Sequence, residues 1–272
     1  MKKYCFGFVL IVLSVVAVTF VVVQLRQPSN DREWSEDQKL LPEIEFQGDE
    51  ITIKNIRNFE YTSETEYVPR YYERTIHLSQ IQEVWFIVEP FAKLGAAHTF
   101  VSFGLNDGTY ISVSVEIRKE KGETFSALKG ILREYELMYV IADEKDVVKL
   151  RANYRKDQVY LYPVITTKEK SQELFLALMH RAQDVVAQPE FYNTLDNTCT
   201  TNIVSQVNTI ASKPIPMSYK ILLPEFSDEL AYEHGFFDTS VSLDVLRQRH
   251  SINVLSEKYT NDIEYSKRIR GK

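Results

Sequence analysis

Cysteine is scarce in this chain of 272 residues, and its scarcity excludes a fold built on disulfides. Only Cys5 and Cys199 occur, and Cys5 lies inside a long apolar run near the N-terminus. Cys199 stands alone beyond that run, so no disulfide can form within the rest of the chain. A lone thiol in an oxidising compartment is open to oxidation or mispairing. Cys199 is therefore either a small buried hydrophobe or a reactive thiolate, and its surroundings must decide.

Glycine, proline and surplus positive charge are also in short supply. Nine glycines and nine prolines mark no second linker after residue 44. No internal repeat or low-complexity block is present, so we predict one domain in that part of the chain. The formal net charge of −6 gives no sign of nucleic-acid binding, and we expect no nucleic-acid partner.

The one long uncharged run covers residues 4–25, YCFGFVLIVLSVVAVTFVVVQL. About 20 apolar residues span a bilayer as a helix, and Lys2 and Lys3 favour a cytoplasmic N-terminus. A cleaved signal peptide is the alternative, but FVVVQLRQP offers no small-residue cleavage site. We predict a transmembrane signal anchor at 1–26, a polar tether at 27–43 and a domain at 44–272. The protein would cross the bacterial inner membrane once, with the domain in the periplasm.

A β-hairpin is the clearest element of the domain. Alternating residues flank Asn106-Asp107-Gly108, and a three-residue loop with Gly108 in the left-handed position pairs Phe100 with Ser114 and His98 with Glu116. This register separates an apolar core face from a polar face of five side chains: His98, Ser102, Ser112, Ser114 and Glu116. The polar face is either exposed to solvent or part of a site.

Apolar spacing predicts further elements. We predict a short helix with Leu78, Ile81, Val84 and Trp85 on one side, helices in TFSALKGILREY, DEKDVVKLRANYRK and SQELFLALMHRAQDVVAQP, and strands in ELMYVIA and QVYLYPV. The charged stretches RKEKGE and DEKD are expected to be solvated. The fold class is α+β, an antiparallel sheet packed with helices.

The segment FYNTLDNTCTTNIV places Cys199 at the start of a helix that Asn197 or Thr198 can cap. Ile203, Val207 and Ile210 continue the face on which the thiol lies. Unpaired N–H groups and the macrodipole at a helix start favour a thiolate and can stabilise an oxyanion. This position favours a reactive thiol.

A thiol nucleophile needs a base, and His98 is the candidate among the five histidines. Glu116 is predicted to orient its ring, as the third member of a nucleophile–base–orienter triad. Residues predicted to support substrate or oxyanion binding are Asn197, Thr198, Thr200, Ser114, Ser102 and Arg118. Arg118 is a candidate for binding a substrate carboxylate, with surface placement as the other interpretation. A zinc site from Cys199, His98 and Glu116 is a weaker alternative, and we expect no metal and no cofactor.

Two segments together resemble a bacterial family. They are the stretch from AAHTFVSFGLNDG to QVYLYPV and the segment PEFYNTLDNTCTTNI, and the likeness covers about residues 57–210. The chain resembles the Lnb N-terminal periplasmic domain family, whose namesake is a lipoprotein N-acyltransferase. The resemblance implies a circularly permuted papain-like arrangement, with histidine before cysteine, in which His98 is the base and Cys199 the nucleophile. The family tends to place asparagine directly before the cysteine, whereas Thr198 follows Asn197 here, and the namesake has more membrane spans.

These observations predict a membrane-anchored periplasmic acyltransferase or hydrolase that depends on a thiol. Its partners would be the lipid bilayer and an ester or amide of a lipoprotein or another envelope substrate. The alternatives are a cysteine peptidase or amidase acting on cell-wall peptides and a non-catalytic envelope module that binds a partner on the same fold.

Overall fold

A single large sheet organises the domain in the computed structural model, which describes residues 2–92 and 95–271. The strands are β1 (Glu43–Gln47), β2 (Glu50–Arg57), β3 (Glu60–Tyr61), β4 (Tyr67–Val68), β5 (Tyr71–His77), β6 (Ile81–Pro90), β7 (Ala97–Leu105), β8 (Tyr110–Arg118), β9 (Glu136–Asp143) and β10 (Tyr160–Pro163). Seven of them follow the order β1-β2-β9-β8-β7-β6-β10, and β5 also pairs with β2. All pairs are antiparallel except a parallel contact between β2 and β9.

The helices that follow the N-terminal one pack on both faces of this sheet. In chain order, the helices are α1 (Lys2–Leu25), α2 (Ala127–Ile131), α3 (Glu144–Lys149), α4 (Lys168–Ala187), α5 (Cys199–Ile210), α6 (Tyr219–Leu222), α7 (Ser227–Glu233), α8 (Leu243–His250), α9 (Asn253–Lys258) and α10 (Tyr265–Arg268). A π-helical turn, Leu150–Arg155, continues α3. The predicted α+β class, an antiparallel sheet packed with helices, is confirmed; the papain-like permutation stays a prediction.

The main apolar core lies between one face of the sheet and the helices α4 and α5. Val101, Phe103 and Val113 from the hairpin meet Phe175 and Leu178 from α4 in this layer. A second apolar layer on the opposite face joins Phe100 and Val140 to Val147 and Val148 of α3. Both faces of the central strands are therefore buried.

The hairpin register is as predicted. Phe100 pairs with Ser114 and Ser102 with Ser112, and Gly108 has a positive φ of 81°. The alternative that the polar face is exposed to solvent is wrong, because Ser102, Ser112 and Ser114 are fully buried beneath the second layer.

The helix predicted from Leu78, Ile81, Val84 and Trp85 is also wrong. These residues begin a short 3₁₀ turn, Leu78–Gln80, and then β6, which lies between β7 and β10. A central strand buried on both faces has a nearly continuous apolar sequence, which helical spacing fits equally well.

The DEKD stretch is not solvated as predicted, because two of its carboxylates are buried. Asp146 accepts two hydrogen bonds from the Arg57 guanidinium, each at 2.9 Å. Glu144 accepts a hydrogen bond from Ser102 and pairs with Arg270. Buried charge is tolerated here because each carboxylate has a guanidinium partner.

The segment 27–43, predicted as a polar tether, is in contact with the domain. Trp34 is buried and forms a bridge to Glu120, and the Arg118 guanidinium lies 4.1 Å from the centre of its ring. The boundary at residue 44 stays a prediction, but these contacts show that the segment before it packs on the sheet.

Candidate active site

Cys199 occupies the first position of α5, and a reciprocal pair of hydrogen bonds fixes that helix start. Thr198 is the N-cap: its hydroxyl accepts from the Thr201 N–H at 3.2 Å, while the Thr201 hydroxyl accepts from the Thr198 N–H at 2.7 Å. Ile203 is buried and Val207 and Ile210 pack against the core, so the predicted apolar stripe is present. The Cys199 side chain is free of any disulfide and 4% exposed.

His98 lies in a row of three titratable side chains that crosses three neighbouring strands. Glu89 of β6 is its cross-strand partner, and Glu116 of β8 follows on its other side, with Oε1 3.8 Å from His98 Nε2. Side chains directly opposite one another on neighbouring strands share a face of the sheet. The row therefore lies on the face that carries the second apolar layer, where the His98 ring stacks on Phe100 at 5.6 Å between centroids.

Ser114 connects His98 to Glu116. The Ser114 hydroxyl donates to Glu116 Oε1 at 2.9 Å, and its oxygen lies 2.7 Å from His98 Nε2. A serine hydroxyl has one proton, and an ionised carboxylate can only accept. Nε2 must then carry the proton and donate to Ser114, which leaves Nδ1 as an unprotonated acceptor. Glu116 therefore sets the tautomer of His98 through Ser114.

Arg151 holds the two carboxylates of the row. Its Nε donates to Glu89 at 2.6 Å and its Nη2 to Glu116 at 2.8 Å, and the guanidinium lies over the Phe100 ring. Sequence reasoning missed this residue. The available signal was its spacing: Arg151 follows Val148 by three residues and Val147 by four, which places it on the apolar face of the helix. A charged residue on a buried face needs a buried partner of opposite charge.

The electrostatics keep His98 neutral. Burial, and then the cation of Arg151, lower the pKa of His98 to about 3. Burial alone would raise the pKa of Glu116, but Arg151 and then His98 outweigh it and hold that pKa well below its usual range. Burial raises the pKa of Glu89 to about 7, and Arg151 offsets only part of this effect. At neutral pH the row contains a neutral imidazole, an ionised Glu116 and a Glu89 near its midpoint.

Cys199 and His98 both line one cavity of about 530 Å³ at the ends of β6, β7 and β8, although they reach it from different sides of the sheet. Cys199 belongs to the main core layer and His98 stacks in the second layer. The residues that follow them are joined, because the Thr99 and Thr200 hydroxyls lie 2.9 Å apart. Across the described residues, the sulfur has one hydrogen-bonding contact, Thr200 Oγ1 at 3.8 Å. A direct contact between thiol and imidazole stays a prediction.

The predicted supporting residues divide into two groups. Thr198 lines the cavity, Ser114 bonds to His98, and Thr200 is adjacent to the sulfur. Asn197, Ser102 and Arg118 are committed elsewhere: Asn197 donates to Glu190 and to the Phe191 carbonyl, Ser102 donates to Glu144, and Arg118 donates to the carbonyls of Gln38 and Lys39. Arg118 is 3% exposed, so the alternative of surface placement is wrong, and its role in binding a substrate carboxylate stays a prediction.

A second cavity of about 560 Å³ borders the same helix on its core side. Its walls are mainly apolar, with Ile203, Val207 and Ile210 from α5 and Phe236 from the C-terminal part, and Thr200 lines it next to the cysteine. Among residues 2–92 and 95–271, no three His, Cys, Asp or Glu side chains are grouped so that they could hold a metal ion. The zinc alternative therefore has no support from side-chain placement.

Fold and site first define a class: an α+β domain that brings a thiol and a neutral imidazole to one cavity, preceded by an apolar helix. That helix, Phe6–Leu25, is by length and composition the one candidate for a membrane span in the described chain. The family profile of the Lnb N-terminal periplasmic domain matches residues 67–225, more than half of the chain, and the chain belongs to this family. It is a periplasmic, envelope-associated protein, and the apolar helix fits a single-pass membrane protein. Searches of curated proteins and of solved structures gave no significant match.

Proposed function

We propose that the protein is a thiol-dependent acyltransferase or hydrolase, anchored in the bacterial inner membrane, that acts on an ester or amide of a lipoprotein or another envelope substrate. One observation carries the proposal: the His98 imidazole and the lone thiol at a helix start line the same cavity, and the Ser114 contact of Nε2 favours the tautomer in which Nδ1 accepts a proton. Such a thiol and base are the two groups that nucleophilic acyl transfer requires.

The reaction has two halves. The Cys199 sulfur attacks the carbonyl carbon while its proton passes to His98 Nδ1, and the first-turn N–H groups of α5 stabilise the oxyanion. Burial and the Arg151 cation make the resting His98 a weak base, so the negative charge of the oxyanion has to raise the pKa of the ring for it to hold this proton. The carbon–oxygen or carbon–nitrogen bond then breaks, and the proton moves from His98 to the leaving group, leaving a thioester on Cys199. An amine or water attacks the thioester, returns its proton through His98 to the sulfur and releases the acylated product.

Proton transfer needs a bridge between the two sides of the cavity. His98 and Cys199 share no hydrogen bond within the described chain, so a water molecule or a rotation of the thiol must complete the path. Catalytic hydrogen bonds are often long before substrate binds. The mainly apolar cavity on the core side of α5 favours an acyl chain as the bound group over a cell-wall peptide.

A non-catalytic envelope module is the second candidate. The observation that favours it is that the thiol is 4% exposed and that imidazole and thiol belong to different layers of the fold. On this interpretation the cavity binds a partner, and the Glu89–Arg151–Glu116 cluster serves as polar recognition.

Alkylation of Cys199 by iodoacetamide separates the two candidates. The full chain carrying Cys5→Ala would be alkylated at neutral pH, and the rate at Cys199 measured by mass spectrometry. We expect a rate at least about tenfold above that of a free thiol, and a loss of that advantage in His98→Asn, because the general base is removed.

His180→Asn is the matched control, since His180 is exposed and stacks on Phe46 away from the cavity. It should leave the alkylation rate unchanged. A Cys199 that reacts no faster than a free thiol, or equally fast with and without His98, would leave the binding module as the better description.

A further inference from the structure

Exposed apolar side chains surround the mouth of the cavity that contains Cys199 and His98. Six of them are between 38% and 64% exposed, and together they are called the apolar rim here: Phe91, Phe125, Leu128, Leu195, Leu222 and Leu223. Four of the six also line the cavity, namely Phe91, Phe125, Leu222 and Leu223. Soluble surfaces carry single exposed hydrophobes, whereas a cluster marks a contact surface.

The rim is one continuous surface built from four parts of the chain. The Phe91 and Phe125 rings meet edge to face with centroids 6.1 Å apart. Thr194, which precedes Leu195, donates to the Ala127 carbonyl at the start of α2 at 2.8 Å. Gly95 packs directly against Leu223, which brings the segment after α6 to the same place.

The apolar rim lies next to the end of the apolar helix α1. Arg26 follows that helix directly, and its guanidinium donates to the carbonyls of Leu132 and Arg133 at 3.0 and 3.3 Å. These carbonyls come immediately after α2, the helix that carries Leu128. A helix that crosses the membrane ends at the bilayer surface, so α2 lies at that surface too.

We propose that the apolar rim inserts into the outer leaflet of the bilayer that α1 crosses, so that the cavity opens toward lipid rather than toward water. Exposed Phe and Leu side chains are among the groups that enter the boundary between headgroups and acyl chains. The occupant of the rim is therefore a lipid surface, because the Arg26 hydrogen bonds place the rim beside the end of α1. Substrate carbonyls would reach the site from within the leaflet, as ester- or amide-linked acyl groups do.

This inference rests on the proposed membrane attachment of α1 and is independent of the thiol chemistry. Its test uses the full chain with both native cysteines replaced, Cys5→Ala and Cys199→Ser, in phosphatidylethanolamine–phosphatidylglycerol vesicles. Leu128→Cys is labelled with an environment-sensitive fluorophore, and lipids with a nitroxide at carbon 5 or carbon 12 of the acyl chain are added as quenchers.

We expect the Leu128 probe to lose more than about half of its fluorescence with the carbon-5 nitroxide and less with the carbon-12 nitroxide, because an interfacial side chain lies roughly 5–10 Å into the headgroup boundary. Ile263→Cys is the matched control: Ile263 is 87% exposed and apolar but lies outside the rim, and its probe should be unaffected. Equal quenching at the two positions would overturn the proposal. A Leu128 probe with blue-shifted emission but no quenching would do so as well, since it would place a protein, such as a second copy of the chain, on the rim.

The variant used for quenching carries Cys199→Ser. Its result therefore does not depend on whether Cys199 is reactive in the alkylation experiment. The two experiments can therefore fail separately.

Discussion

Arg151 is the residue on which the charged side of the cavity depends. Its one guanidinium pairs with Glu89 and Glu116, which are 1% and 17% exposed at their side chains, and its cation lowers the pKa of His98. Removing one partner from a buried ion pair leaves an uncompensated charge, which costs far more than the pair contributes. Replacing Arg151 by a neutral residue would also remove the positive charge near His98 and raise the pKa of His98.

We predict that Arg151→Met lowers the free energy of unfolding by about 3–5 kcal/mol at pH 8. The loss should be smaller at pH 5.5. The pKa of Glu89 in the folded state is already raised to about 7, and it rises further when Arg151 is removed. At pH 5.5 Glu89 is therefore protonated in the folded variant and no longer leaves an unpaired buried charge. Urea unfolding of the full chain in detergent at both pH values measures this difference.

Arg155→Met provides the comparison, because Arg155 is 35% exposed and its Nη1 lies 3.7 Å from Glu89. It should cost no more than about 1 kcal/mol. Equal losses for Arg151→Met at pH 8 and pH 5.5 would contradict the assigned role of Glu89.

At the scale of elements, local sequence patterns predicted the hairpin and the start of α5, but they did not predict which distant residues pair in the fold. The hairpin register followed from alternation and from Gly108, which are encoded within about ten residues of each other. The start of α5 followed from Thr198 and Cys199 themselves. The partners of Arg151 lie 62 and 35 positions earlier, so no local pattern could indicate them. Strand β6 was misread because burial on both faces removes the alternation that identifies a strand.

The helix start that presents Cys199 depends on its capping box. We predict that Thr198→Ala lowers the free energy of unfolding by about 1 kcal/mol, because the Thr201 N–H loses its side-chain acceptor. Thermal unfolding followed by circular dichroism measures the change. Thr209→Ala, near the exposed end of the same helix, is the control and should be neutral or slightly stabilising, since alanine is the better helix former. A loss as large for Thr209→Ala would show that the effect is not due to capping.

At the scale of the whole molecule, the span and the domain are joined by packed chain. Composition suggested a tether at 27–43, because Trp34 is a single aromatic residue among polar ones. Its contacts with the sheet, Arg118 and Glu120, lie more than 80 positions away and leave no local pattern. In the fold its indole donates to the Asn30 carbonyl at 2.8 Å, and Arg118 covers the ring. This contact fixes the domain close to the end of α1.

We predict that Trp34→Ala lowers the free energy of unfolding by about 3–5 kcal/mol, as other buried aromatic truncations do. Trp34→Phe keeps a ring beneath Arg118 and should cost roughly half as much or less. Denaturant unfolding of both variants tests the claim. A neutral Trp34→Ala would mean that the segment contributes nothing to the stability of the domain.

Gly130 lies where α2 packs against the loop that precedes Cys199. A side chain at Gly130 would collide with Thr194, since a Cβ atom there would lie only 2.3 Å from the Thr194 hydroxyl oxygen. α2 and the loop before Cys199 are therefore in close contact at this point, with no room for a side chain on residue 130. The proposed lipid contact of α2 and the segment that leads into the Cys199 helix therefore share one tightly packed contact, and a larger residue at position 130 would push them apart.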